Sequence, residues 1–160
     1  MKKTLLLLAG FLLFTSAYSQ ISLGEDGLYY DQNQQPYTGA YKEFYDNGQV
    51  KQDMTLQNGR IDGKVTLWYR SGKVKEVRLF KAGKRDGTWV SYNEPGIKTG
   101  EATYLDDQKD GSWRIWDDTG VLRYEMFYRK GQRAGVWIMY DEKGSKIDEK
   151  TYSDDKQIPD

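Results

Sequence analysis

Three sets of residues in this chain are candidates for catalysis, ring stacking or metal binding. Glu101, Glu125 and Glu149 recur at a constant step, with Asp53 in the same column and Glu76 one place earlier; paired carboxylates can act as acid and base on glycosides. The tryptophans Trp68, Trp89, Trp113, Trp116 and Trp137 could present rings on which a sugar or a partner chain stacks. Asp106-Asp107-Gln108-Lys109-Asp110-Gly111, with Asp117 at the twelfth place, resembles the acid spacing of a calcium loop.

Each set also has a plainer reading. A column of single acids on a repeated strand is usually a solvent face, paired with neighbours such as Lys51, Lys75 and Arg123. An active site breaks the symmetry of a repeat, and no copy here carries a unique polar cluster in the sequence. Gln108 departs from the third calcium ligand and no flanking helices are available, so that stretch reads as a solvated turn. Trp89, Trp113 and Trp137 follow the repeat and read as packing between units. Trp68 and Trp116, at strand ends beside Tyr69 and Asp117, are left with Tyr69, Tyr92 and Tyr140 as the candidate binding surface. The chain has no cysteine and no histidine, so thiolate or imidazole metal sites, cysteine nucleophiles and Ser-His-Asp triads each lack an essential member. No catalytic residue, metal or cofactor is expected.

What positions these side chains is a repeat. One glycine recurs as Gly39, Gly63, Gly87, Gly111 and Gly135, and a second as Gly48, Gly72, Gly96, Gly120 and Gly144, each 24 positions after the last. Two places after the first glycine stand Tyr41, Val65, Trp89, Trp113 and Trp137; five after it stand Phe44, Trp68, Tyr92, Trp116 and Tyr140. Leu56, Phe80, Tyr104, Tyr128 and Tyr152 close the units. Such an array has no single globular core, because each unit buries its apolar face against its neighbours.

Within a unit the period is two. Trp113-Arg114-Ile115-Trp116 and Trp137-Ile138-Met139-Tyr140 alternate in the manner of a strand with one buried face. Turns such as Asp118-Thr119-Gly120 follow, where glycine supplies positive φ. A second strand such as 121–129 then ends in a further polar turn. Each unit is thus two strands and two turns, and the whole is all-β: a single elongated, twisted antiparallel meander of ten strands in five hairpins. Gly-x-Trp at fixed register predicts rings lying over bare glycine backbone, so that Gly111→Val would overpack.

Residues 20–36 read as an N-terminal capping strand and linker that covers an exposed edge, and 37–160 as the five hairpin repeats. Met1 to Gln20 carries Lys2 and Lys3, an apolar run from Leu5 to Phe14, and Ala17-Tyr18-Ser19 before Gln20. This predicts a helical signal peptide over residues 1–19, cleaved near Ser19/Gln20, and export to the periplasm or the medium. The whole chain has zero formal charge with 24 basic and 24 acidic residues. Without residues 1–19, 22 basic residues face 24 acidic ones, a balance of −2. Nucleic acid is not an expected partner, since that needs a basic excess on one face.

The motifs Asp62-Gly63-Lys64-Val65, Asp86-Gly87-Thr88-Trp89, Asp110-Gly111-Ser112-Trp113 and Ala134-Gly135-Val136-Trp137, each followed by an aromatic and a turn glycine, resemble bacterial variant MORN repeats. The resemblance covers about residues 37–157. Thr38-Gly39-Ala40-Tyr41 lacks the acid and the tryptophan, Val65 replaces a ring, and Asp107 and Asp155 replace a third glycine. The resemblance implies a non-enzymatic scaffold that binds an unidentified protein or cell-envelope component. It also implies, as alternatives, contact with a phospholipid surface and an antitoxin-like role, the latter at odds with an export signal. Open sheet edges add a route to self-association.

Overall fold

The computed structural model describes residues 21–158. The signal-peptide segment, residues 1–19, lies outside them. Every element among the described residues is a strand. In chain order these are β1 (Ser22–Leu23), β2 (Tyr29–Tyr30), β3 (Gly39–Phe44), β4 (Val50–Gln57), β5 (Arg60–Ile61), β6 (Gly63–Trp68), β7 (Val74–Lys81) and β8 (Lys84–Arg85). They continue as β9 (Gly87–Tyr92), β10 (Lys98–Leu105), β11 (Gln108–Trp116), β12 (Leu122–Arg129), β13 (Gln132–Tyr140), β14 (Lys146–Ser153) and β15 (Lys156–Ile158). All but β1 and β2 join one antiparallel sheet in which consecutive long strands are neighbours. The ten long strands are the ten expected. β5, β8 and β15 are short segments beside the polar turns.

Both turns of the unit depend on left-handed backbone. The first places its glycine at positive φ, as at Gly120 with φ 88°. The second places two residues there, as Ala82 (50°) and Gly83 (85°) do. Asp107 and Asp155, which stand where other copies have glycine, hold φ 68° and 66°, so the turn survives the substitution. Their carboxylates accept from the backbone N–H groups of Arg85 (2.9 Å) and Arg133 (2.8 Å) and pair with the same residues' guanidinium groups. Each turn also rests on the one before: the Gly83 and Gly131 N–H groups donate to the Ile61 and Lys109 carbonyls.

Antiparallel register assigns side chains to two faces. Cross-strand partners such as Gly63 with Phe80, Trp89 with Ala102 and Trp113 with Met126 share what we call the ladder face. Lys42 with Asp53, Thr66 with Val77 and Glu101 with Arg114 share the opposite face.

One layer cannot bury both faces, and the buried core is correspondingly small. Met54, Leu56 and Val65 form it, with Ile21, Tyr29, Tyr37, Tyr41, Ile61, Leu67 and Phe80 packed around them. Where a single edge-capping strand was expected, β1 and β2 form a hairpin, and Ile21 and Tyr29 pack against the core of the first two copies while Leu23 stays exposed. The reason is local composition. There the ladder is aliphatic, Leu56 and Val65 in place of rings, and needs a cover that the aromatic copies do without. Backbone bonds fasten the cover: Tyr29 N–H donates to the Gly59 carbonyl and Gly59 N–H to that of Tyr37. Burial together with the nearby Glu43 carboxylate pushes the Tyr41 hydroxyl up to about 12.

Candidate functional site

The Gly-x-Trp motif marks a bulge. Three steps along β7, from Phe80 back to Val77, oppose five along the partner, from Arg85 to Val90, and the two extra residues are taken up around Asp86-Gly87. Gly87 reaches φ 102° there, and Gly111 96° at the matching place. A side chain added at Gly111 would meet Thr103 at 3.4 Å, and one at Gly87 would meet Leu79 at 2.9 Å; neither position has a ring against it. At Gly135 the nearest atoms belong to the Phe127 side chain, at 3.6 to 3.9 Å, so a ring lies by this glycine but not nearest to Gly87 or Gly111; what the three share is the left-handed backbone that favours glycine.

The tryptophan completes the bulge. Its indole N–H donates back across the sheet, from Trp89 to the Leu79 carbonyl (2.9 Å), from Trp113 to Thr103 (3.0 Å) and from Trp137 to Phe127 (3.0 Å). The rings then interleave with the closing aromatics. Phe80, Trp89, Tyr104, Trp113, Tyr128, Trp137 and Tyr152 follow one another at centroid separations of 4.9 to 5.3 Å. This ladder uses the Trp89, Trp113 and Trp137 column for packing, as the repeat implies.

Beyond the tryptophans the ladder face changes along the array. One row crosses the sheet as Glu43, Gln52, Leu67, Glu76, Ser91 and Gly100, then becomes Ile115, Tyr124 and Met139. Ile115 and Tyr124 are 42% and 38% exposed. With Met126, Trp137 and Met139 they line an apolar groove of about 360 Å³ that Asp148 and Lys150 border. Sequence reasoning did not single out these residues. The available signal was the row-by-row departure of the fourth and fifth copies from the first three.

The candidate surface residues lie elsewhere. Trp68, Tyr92, Trp116 and Tyr140 sit against side chains of the face opposite the ladder: Trp68 with Lys42 and Asp53, Tyr92 with Val77, Trp116 under the Lys98 ammonium (4.4 Å), and Tyr140 donating to Glu125 (2.7 Å). Tyr69 is turned away into scaffolding, its hydroxyl donating to the Tyr92 carbonyl at 2.8 Å. Two grooves run beside these rings, of about 250 Å³ at Trp68 and about 420 Å³ at Tyr92. They are the same groove one unit apart: Gln49, Val50, Asp53, Trp68 and Gly72 of the first become Lys73, Val74, Val77, Tyr92 and Gly96 of the second. At the next unit Lys98 and Glu101 replace Val74 and Val77 and pair with each other.

That ion pair belongs to a network which the sequence did not reveal. Arg114 bridges Glu101 (3.3 Å) and Glu125 (3.0 Å), and Tyr140 closes the far end on Glu125. The acids thus pair mainly with other cations than Lys51, Lys75 and Arg123. Lys51 holds Glu43, Lys75 lies over the Tyr69 ring and Arg123 faces Asp117. The Lys98 ammonium, and then Arg114, hold Glu101 below the ordinary carboxylate range; the Tyr140 hydroxyl and Arg114 do the same for Glu125. Neither carboxyl is raised as a general acid's would be. In the stretch with calcium-like spacing, Asp106 pairs with Lys84, Asp107 with Arg85, and Asp110 accepts from the Lys130 N–H.

Three stretches of the chain, 37–58, 61–82 and 109–130, match the family model described as the MORN repeat variant. No curated protein matches the chain.

Proposed function

We propose that this MORN-type repeat protein is an exported, non-enzymatic scaffold whose sheet binds another protein or a component of the cell envelope. Repeats of this family act in contacts with proteins and membranes, and the basic start, apolar run and small residues before Gln20 support export. The observation that carries the reading is the exposed apolar groove at Ile115, Tyr124 and Met139, where three consecutive positions of the row are apolar side chains, as in none of the earlier copies. Contiguous exposed apolar surface on a soluble chain marks an interaction site. The covered aliphatic end and the open aromatic end make the array directional.

The test is capture from envelope extract with residues 20–160, wild type beside the Ile115→Lys, Tyr124→Lys pair. A partner held by wild type and lost by the double variant supports the reading. Flotation with liposomes in the absence of any protein would move the function to a lipid surface instead. Near-neutral charge argues against that route, which draws on clustered lysine and arginine.

A further inference from the structure

The two equivalent grooves lie on the face opposite the ladder, and their repetition sets the spacing of whatever fits both. Neighbouring strands lie about 4.8 Å apart, so one unit of two strands advances about 9.6 Å across the sheet. A polyproline II helix completes a turn of three residues in about 9.3 Å. A segment in that conformation, laid across the strands, presents one side chain to each groove in succession without changing register. Each groove has an aromatic wall, Trp68 or Tyr92, beside a valine and a glycine, and the first is also lined by Lys42, Gln49 and Asp53; an aromatic wall is the surface on which proline rings dock. The charge is also informative. Lys73 is exposed at the mouth of the second groove, and among the described residues no salt bridge engages its ammonium.

We infer that the Trp68 and Tyr92 grooves bind a proline-rich segment of a partner protein, about two polyproline II turns long, with an acidic residue that meets Lys73. At the third position Lys98, paired with Glu101, stands where the two grooves have Val50 and Val74, so the apolar contact ends after two units and the bound segment is short. This inference rests on the scaffold reading and gives it a partner class, on a different face from the Ile115 groove.

The experiment titrates the mature protein with a synthetic peptide carrying proline at every third position and one flanking aspartate, followed by the chemical shifts of the tryptophan indoles. The Trp68 indole signal should move while that of Trp137 stays. Trp68→Ala and Tyr92→Ala should each weaken binding by about tenfold or more, as loss of an aromatic anchor does. Lys73→Glu, an exposed substitution that leaves the fold alone, should weaken the aspartate peptide and favour a lysine-flanked one. No shift at millimolar peptide, or the same affinity in Lys73→Glu for both peptides, overturns the inference. If the peptide fails while envelope capture persists and depends on Ile115 and Tyr124, only this inference falls. If capture fails as well, the scaffold reading falls with it.

Discussion

The indole nitrogen of Trp89 lies 2.9 Å from the backbone oxygen of Leu79, ten residues earlier on the neighbouring strand. The same oxygen accepts from the Asp86 N–H at 3.1 Å. A bulge opens the ladder at this point, and the indole supplies a donor where strand pairing is interrupted. The first such bulge has Val65 in place of tryptophan, and there the Thr55 oxygen takes the Asp62 N–H at 2.9 Å with no indole beside it.

Trp89→Phe should therefore cost about 1 kcal/mol, the net worth of one hydrogen bond, with the ring contacts retained. Trp89→Leu should cost more, since it also removes the contacts with Phe80 (5.2 Å) and Tyr104 (5.0 Å), each about 0.5–1.5 kcal/mol. Urea melts of the two variants measure the difference, and equal midpoints would show that the rings contribute nothing.

Gly63 and Gly87 separate backbone strain from crowding. A side chain at Gly63 meets nothing within 4 Å and suffers only from φ 97°, whereas one at Gly87, φ 102°, also meets Leu79 at 2.9 Å. Gly63→Ala should cost about 1–2 kcal/mol from the left-handed backbone. Gly87→Ala should cost more. Thermal melts in the reverse order would contradict the assignment.

Acid should loosen the middle of the array. Glu101 and Glu125 are both held below the ordinary value of 4.5, so near that pH the folded chain binds fewer protons than the unfolded one. Their contribution is present above 4.5 and is lost as pH falls through their lowered values. Glu125→Gln should lower stability at neutral pH and flatten the decline below 4.5. Denaturant midpoints across that range test the sign.

Removing residues 87–110, one whole unit, joins Asp86 to Gly111 in register. The product should fold with a lower melting temperature, because stability in an array sums over neighbours. Removing residues 21–36 should do greater harm, since Leu56 and Met54, 0% and 4% exposed, would lose their cover at about 2 kcal/mol for each such side chain returned to water. Circular dichroism melts compare the two.

The 24-residue period, the ten strands, the positions of the turns and the packing role of the Trp89, Trp113 and Trp137 column were legible in the chain alone, because alternation and turn glycines are local signals that each copy repeats. Tertiary structure decided what depends on neighbours from different copies. The bulge shifts register between strands, so its indole bond and the row that turns apolar at Ile115 and Tyr124 are legible only once strands are aligned. The same holds for the contact of Arg114 with two glutamates a unit apart, and for the repeated groove beside Trp68 and Tyr92. The packing of Ile21 and Tyr29 on Met54, Leu56 and Val65 likewise depends on an apolar surface that exists only once the sheet has assembled.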